Sequence, residues 1–270
     1  MVKRTVLMGI VLACGLAVGL PSAHAAVLDL TAINSFGFLN GAFFKWTDLD
    51  RNATGTGLIN PFVRLSTNHD TEQGYNTDGR PLAFDENNSP QFTKSIQLGG
   101  VPLVNINGTD YREFLLDINE PDRSGAGLLS LDKVQIYLNP TSGALNTSTL
   151  ADLGALVFNL DIGPDGDSYA RLNADLNPGQ GKGDYFMYVP DSLFIGAGTQ
   201  YVYLYSYFGT HDINDSGFEE WSHRIVTNPT CEQTRTCDGN PPPVIPEPSS
   251  LLLMGSGLFG AAIRFKRKRA

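Results

Sequence analysis

The chain has 270 residues, with 19 Lys+Arg, 28 Asp+Glu and a formal net charge of −9. Two of the positive groups stand at the N-terminus and five at the C-terminus beside one negative group, so the stretch between the ends holds 12 positive and 27 negative groups, a net of −15. Such a surface repels nucleic acid and anionic lipid, which are bound through Lys and Arg contacts to phosphate, and it suits a protein outside the cell or one that meets divalent cations.

At the N-terminus, Met1-Val2-Lys3-Arg4 precedes an apolar run from Thr5 to Leu20, which Pro21 and Ser22 break ahead of Ala23-His24-Ala25. A positive start, an apolar middle and small residues flanking one bond make residues 1–25 a secretory signal peptide with a helical apolar segment. Signal peptidase is expected to cleave between Ala25 and Ala26. An uncleaved anchor and a lipoprotein site at Cys14 are the alternatives; the apolar run continues well past Cys14, which argues against the second.

Residues 26–227 read as one domain. No amphipathic helix is evident, and Gly, Asn, Asp and Pro punctuate short β-branched and aromatic runs. The candidate strands are Phe36–Trp46, Leu58–Leu65, Phe92–Leu98, Tyr111–Ile118, Leu129–Leu138, Ala155–Asp161, Tyr169–Leu176, Tyr185–Val189, Gln200–Phe208 and Glu219–Val226. About ten such strands predict an all-β fold, a two-sheet antiparallel sandwich of jelly-roll type. In Tyr169–Leu176, Arg171, Asn173 and Asp175 alternate with Ala170, Leu172, Ala174 and Leu176, a half-wet strand. In Gln200–Phe208, Tyr201, Tyr203, Tyr205 and Tyr207 share one face, while Val202, Leu204, Ser206 and Phe208 share the other. A strand apolar on both faces belongs in the middle of a sheet.

That tyrosine stripe supports two readings. Flat aromatic faces stack on sugar rings, and an exported protein meets exopolysaccharide; the other reading has the tyrosines packed on the sheet with their hydroxyls bonded at its rim. Three acidic loops are candidate calcium sites: Asp48-Leu49-Asp50-Arg51-Asn52, the loop with Asp161, Asp165 and Asp167, and Asp212-Ile213-Asn214-Asp215-Ser216-Gly217. The last matches the first six positions of an EF-hand loop, but His223 stands where the bidentate Glu belongs. Plain turn chemistry accounts for all three loops; a non-EF calcium loop from Asp212, Asn214, Asp215 and Glu219 or Glu220 is the alternative. For catalysis the domain offers three histidines, His69, His211 and His223, with no nucleophile motif and no zinc spacing. The reading is that it is not an enzyme, with a carboxylate pair acting on glycosides as the remaining enzymatic alternative.

Residues 228–245 form a Pro-rich spacer ending near Pro241-Pro242-Pro243. Cys231 and Cys237 are the cysteines left after signal cleavage, and an oxidising compartment makes them a disulfide, worth about 2 kcal/mol for so short a loop. Residues 246–270 open with Pro246-Glu247-Pro248, continue through a short Gly-rich apolar helix at 249–263 and end in the basic segment 264–270. The apolar stretch falls short of the roughly 20 residues of an ordinary span, and the basic end stays cytoplasmic, which puts the domain across the membrane. This order of blocks resembles the PEP-CTERM sorting signal. The resemblance implies a substrate of exosortase, recognition around Pro246, Glu247 and Pro248, transient inner-membrane anchoring, removal of the tail, and release or attachment at the cell surface. Glu72–Asp78, Phe114–Glu120 and Gly217–Trp221 are similar to segments that recur in other PEP-CTERM proteins. The expected role of the domain is structural or interactive; a carbohydrate-binding module using the tyrosine stripe, Trp46 or Trp221 is the alternative.

Overall fold

A computed structural model describes residues 26–47, 59–120, 127–161, 167–177, 183–215 and 217–224. Ala25, the loop Asp48–Asn52, Asp165, the spacer with Cys231 and Cys237, and the tail with Pro246, Glu247 and Pro248 lie outside the described residues. Within them 48% of residues are in strands and 8% helical, and no helix is long and apolar enough to cross a membrane. The helical residues are four 3-10 turns of three or four residues each.

Strands are numbered in chain order. One sheet runs β1 (Val27–Asp29), β11 (Tyr169–Asn173), β9 (Leu128–Asn139), β13 (Tyr201–Phe208) and β5 (Glu72–Tyr75), with β10 (Ala155–Asn159) also on β9 and β6 (Ile96–Gln97) also on β13. The other runs β2 (Phe36–Leu39), β3 (Ala42–Trp46), β12 (Tyr185–Pro190), β8 (Thr109–Ile118), β14 (Glu219–Arg224) and β4 (Ile59–Leu65), with β7 (Leu103–Ile106) also on β8. The two sheets form a sandwich. Pairing is antiparallel except at one edge, where β1 runs parallel to β11 with Val27 opposite Tyr169; the wholly antiparallel expectation is corrected there. With β1, β2, β3, β6, β7 and β10 set aside, β4, β5, β8, β9, β11, β12, β13 and β14 remain. Numbered one to eight along the chain, they stand in the orders 1-8-3-6 and 2-7-4-5.

Two hairpins replace what reads as single runs or loops. Phe36–Trp46 folds back at Asn40-Gly41, where φ is 48° and 91°. Leu103–Ile106 turns into β8 at Asn107-Gly108, with φ of 52° and 87°. A two-residue turn between strands needs positive φ at both positions, and Asn-Gly supplies it at least cost. Phe92–Leu98, expected as a strand, contributes only Ile96 and Gln97.

The core between the sheets alternates as the strand period requires. Val202, Leu204 and Phe208 of β13 meet Phe62, Phe114, Leu116 and Trp221 of the facing sheet, all at most 1% exposed. Trp221 Nε1 donates to Ser206 Oγ at 3.1 Å, a hydrogen bond across the sandwich. Burial of each large apolar side chain contributes about 1.5–3 kcal/mol, and here the last strand of the domain supplies one of the largest. As expected of a strand apolar on both faces, β13 is interior, paired with β9 on one side and with β5 and β6 on the other.

Candidate functional site

The tyrosine stripe lies on the outer face of β13, and its middle is covered, while Tyr201 and Tyr207 at its ends are half-buried. Tyr203 is 0% and Tyr205 4% exposed, packed with Tyr75, Tyr137 and Leu153 beneath Phe84 and Leu145. The Tyr203 hydroxyl donates to Ser142 O at 2.8 Å and accepts from Leu145 N at 3.1 Å, while Tyr205 donates to Gln73 Oε1 at 2.7 Å. The chain crosses this face because Asn76, just after β5, bridges β13 like a strand residue: its amide donates to Val202 O at 2.7 Å and accepts from Leu204 N at 2.6 Å. The stripe is thus a second, smaller core. Trp46 and Trp221 are 8% and 0% exposed and belong to the main one. None of these four rings presents a face to a sugar.

The acidic loop after β13 divides between two sites. Asp212 is held by Arg171 through two oxygens, at 2.7 and 2.9 Å. Asn214 donates through Nδ2 to His69 O at 3.1 Å, and its backbone amide donates to Asp70 O at 2.9 Å. Asp215 N donates to Glu120 Oε2 at 2.9 Å, and Ser66 Oγ to Gly217 O at 2.9 Å. Gly217, at φ 134°, packs directly on the carbonyl of Asn119, leaving no room for a Cβ. The calcium set Asp212, Asn214, Asp215 and Glu219 does not converge as a linear loop. A guanidinium already neutralises Asp212, while Glu219 begins the next strand and points elsewhere. In the second acidic loop, Asp161 Oδ1 accepts from Ser168 N at 3.2 Å.

The destination of Glu219 is fixed by register. It lies opposite Leu65 on β4 and Ile118 on β8, both core residues, so its side chain points between the sheets. Glu72 opens β5 opposite Phe208, also core, and points inward from the facing sheet. The two carboxyls meet at one end of the sandwich, 1% and 0% exposed, hydrogen-bonded to one another, with the main chain of Thr67 beside Glu72 and that of Asn119 beside Glu219. With both ionised neither can donate; one shared proton would let one donate to the other. Glu120, just past β8, is 6% exposed and stands at the same end, its Oε1 without a partner.

Electrostatics there is one-sided. Burial raises Glu72 to about 7, reinforced by the negative charges of Glu120 and Asp85. Burial pushes Glu120 up to about 8, with Glu219 and Asp215 adding to it. Glu219 is driven well above the carboxylate range by burial and then by Glu72. No cation offsets any of the three among the described residues; Arg64 of the adjoining β4 is taken by Glu220 at 2.7 Å. Three sequence segments meet at this end: Glu72–Asp78, Phe114–Glu120 and Gly217–Trp221. Of the acids here only Glu219 is apparent from the sequence; Glu72 and Glu120 are isolated carboxylates whose meeting depends on strand register. Among the described residues no group of three or more His, Cys, Asp or Glu could hold a metal ion.

A second polar constellation has no signature in the sequence. His211 Nδ1 lies 2.6 Å from Asp132 Oδ1, and Asp132 Oδ2 accepts from Ser130 Oγ at 2.9 Å and Thr210 N at 2.8 Å. The imidazole stacks on Tyr169 with centroids 3.7 Å apart and planes at 4°. It borders a cleft of about 290 Å³ with Asp167 and Ser168. Ser168 Oγ accepts from Ala26 N at 3.2 Å, so the residue expected to begin the mature chain is tied to β11.

Comparison with known proteins speaks to the tail. The PEP-CTERM protein-sorting motif matches residues 244–268, so the C-terminus is an exosortase sorting signal. No curated protein and no solved structure matches the chain.

Proposed function

From a chain that ends in an exosortase sorting signal, and is therefore exported, we propose a surface or matrix protein whose sandwich domain is a non-catalytic structural or interaction module. The observation that carries this reading is the sorting motif at residues 244–268. In this scheme signal peptidase cuts after Ala25, residues 249–263 hold the chain transiently in the inner membrane, and exosortase reads Pro246-Glu247-Pro248 and removes the apolar and basic segments beyond it. The domain is of jelly-roll type, supported by the 1-8-3-6 and 2-7-4-5 strand orders: two interlocked Greek keys place their first and last strands side by side. Cys231 and Cys237 close a small disulfide loop in the spacer. Burial of Tyr203, Tyr205, Trp46 and Trp221 favours an interaction role over sugar stacking on those rings.

Mass spectrometry of the C-terminal peptide of the extracellular protein tests the sorting. The exported form is expected to lack Leu251–Ala270, and replacing Pro246, Glu247 and Pro248 by alanine is expected to leave uncut protein in the inner membrane. An intact Arg-Lys tail on protein outside the cell refutes it.

A further inference from the structure

We propose that the cleft beside His211 is a binding site for a single sugar residue, in which His211 Nε2 is a fixed hydrogen-bond acceptor for a ligand hydroxyl. The inference rests on the interaction role proposed above and gives that role a place on the domain. His211 is held in three ways. Its Nδ1 lies 2.6 Å from Asp132 Oδ1, its ring stacks on Tyr169 with centroids 3.7 Å apart, and its backbone N donates to Ser130 Oγ at 3.0 Å. Asp132 is itself fixed, because its Oδ2 accepts from Ser130 Oγ and Thr210 N. A carboxylate offers only acceptors, so Nδ1 carries the ring proton and Nε2 of the neutral ring is left as an acceptor. The Asp132 side chain is 5% exposed and that of His211 33%, which leaves Nε2 on the open side, without a protein partner among the described residues. Pinning the loop does not require this. Asp212 N also donates to Ser130 Oγ, at 3.1 Å, and the Asp212 carboxylate is clamped by Arg171. Orienting the ring as well costs side-chain entropy, and what it yields is one nitrogen held in a set direction, as a binding site needs.

The walls select the ligand. The cleft measures about 290 Å³, at the bottom of the range of about 300–1,000 Å³ for small-molecule sites, which admits one ring rather than a length of chain. Around it stand the hydroxyls of Ser168, Tyr207 and Thr210, the ammonium of Lys133 and the carboxylate of Asp167. Donors and acceptors are interleaved, so a matching molecule must donate and accept at several points, as a ring bearing hydroxyls does. An apolar ligand would leave these groups unpaired. A metal ion is ruled out by ligand number, since no group of three His, Cys, Asp or Glu among the described residues could hold one. An anion would meet the Nε2 lone pair, Asp167 and a domain whose 12 positive and 27 negative groups leave it at −15. The site is separate from the buried tyrosine core, from which it borrows only Tyr207, the half-buried end of the stripe.

Saturation-transfer NMR of the exported protein against glucose, galactose, mannose and N-acetylglucosamine, with long-range proton–nitrogen spectra of the imidazoles, tests the site. At least one sugar is expected to receive saturation and to move the His211 Nε2 resonance while His69 and His223 stay in place. Asp132→Asn turns the partner of Nδ1 from an acceptor into a donor, which shifts the ring proton to Nε2. That variant is expected to fold by circular dichroism, to show the exchanged tautomer in its nitrogen shifts, and to bind the sugar at least tenfold more weakly. Lys133→Met and Asp167→Asn, at exposed positions, provide variants with the fold untouched, each expected to weaken binding several-fold. If no sugar in the panel moves the His211 resonance, the proposal is overturned and the imidazole only completes the loop. Full binding by Asp132→Asn with its tautomer exchanged also overturns it. Glycine serves as a control for an amino-acid ligand: a His211 response to glycine and to none of the sugars assigns the cleft to a zwitterion instead. Sorting is read from the C-terminal peptide, so loss of this site leaves that result standing.

Discussion

Trp221 is where the sandwich is most directly tested, because it is wholly buried on one sheet and hydrogen-bonded to Ser206 on the other. Trp221→Ala removes the largest fully buried side chain and leaves a cavity between the sheets. Such truncations cost about 3–5 kcal/mol, a large part of the 5–15 kcal/mol that a domain typically has. At roughly 2–4 °C per kcal/mol for a domain of this size, melting should fall by about 6–20 °C. Ser206→Ala is gentler in volume but strands the indole N–H, a loss of about 1–3 kcal/mol. In a Trp221→Phe background that N–H no longer exists, so Ser206→Ala should cost about 1 kcal/mol less than in the wild type. Calorimetric or dichroic melting of the four proteins gives the coupling. If Trp221→Ala melts within about 2 °C of the wild type, or the coupling is zero, the two sheets do not pack through this residue and the register of β14 is wrong.

Three further outcomes are expected. Arg224→Met removes the guanidinium that ion-pairs with Glu113, which is 0% exposed; it should cost about 3–5 kcal/mol, and adding Glu113→Gln should recover much of it, measured by chemical denaturation. Burial raises the phenols of Tyr75, Tyr203 and Tyr205 above the usual range, so spectrophotometric titration should show them ionising only with unfolding. Carboxyls raised on folding stabilise fully below their unfolded value near 4.5 and lose that contribution as pH climbs through about 7 and 8, the values for Glu72 and Glu120. The protein should therefore melt higher at mildly acidic pH than at mildly alkaline pH. Buried His223, shifted downward, acts in the opposite sense only on the acid side of 6.5.

The sequence carries the strand content well because it is local: alternation in Tyr169–Asn173 and Tyr201–Phe208 survives in the fold unchanged. The hairpins at Asn40-Gly41 and Asn107-Gly108 are also legible, from the dipeptide, but long aromatic runs around them hide the turn. What alternation cannot reveal is what covers a face. Tyr203 and Tyr205 look like a surface stripe until Asn76 carries the chain over them, and that depends on one amide fitting the β13 ladder. The acid end is less legible still. Glu72 and Glu219 are separated by most of the domain; Glu219 opens a legible strand, while no strand pattern marks Glu72. Their meeting follows from two registers, Glu72 with Phe208 and Glu219 with Ile118. Asp212, which local spacing marks as a ligand, is instead taken by Arg171, a long-range partner that no spacing indicates.

The position of β14 has a consequence for biogenesis. This strand is last in the domain, yet it fills the gap between β8 and β4 rather than adding at an edge. Until residues 219–224 are in place, β8 and β4 have no strand between them, and the sheet stays split where Trp221 and Glu219 belong. A chain cut off before β14 is therefore expected to carry two unpaired strand edges in the middle of a sheet, the kind of edge that recruits other chains.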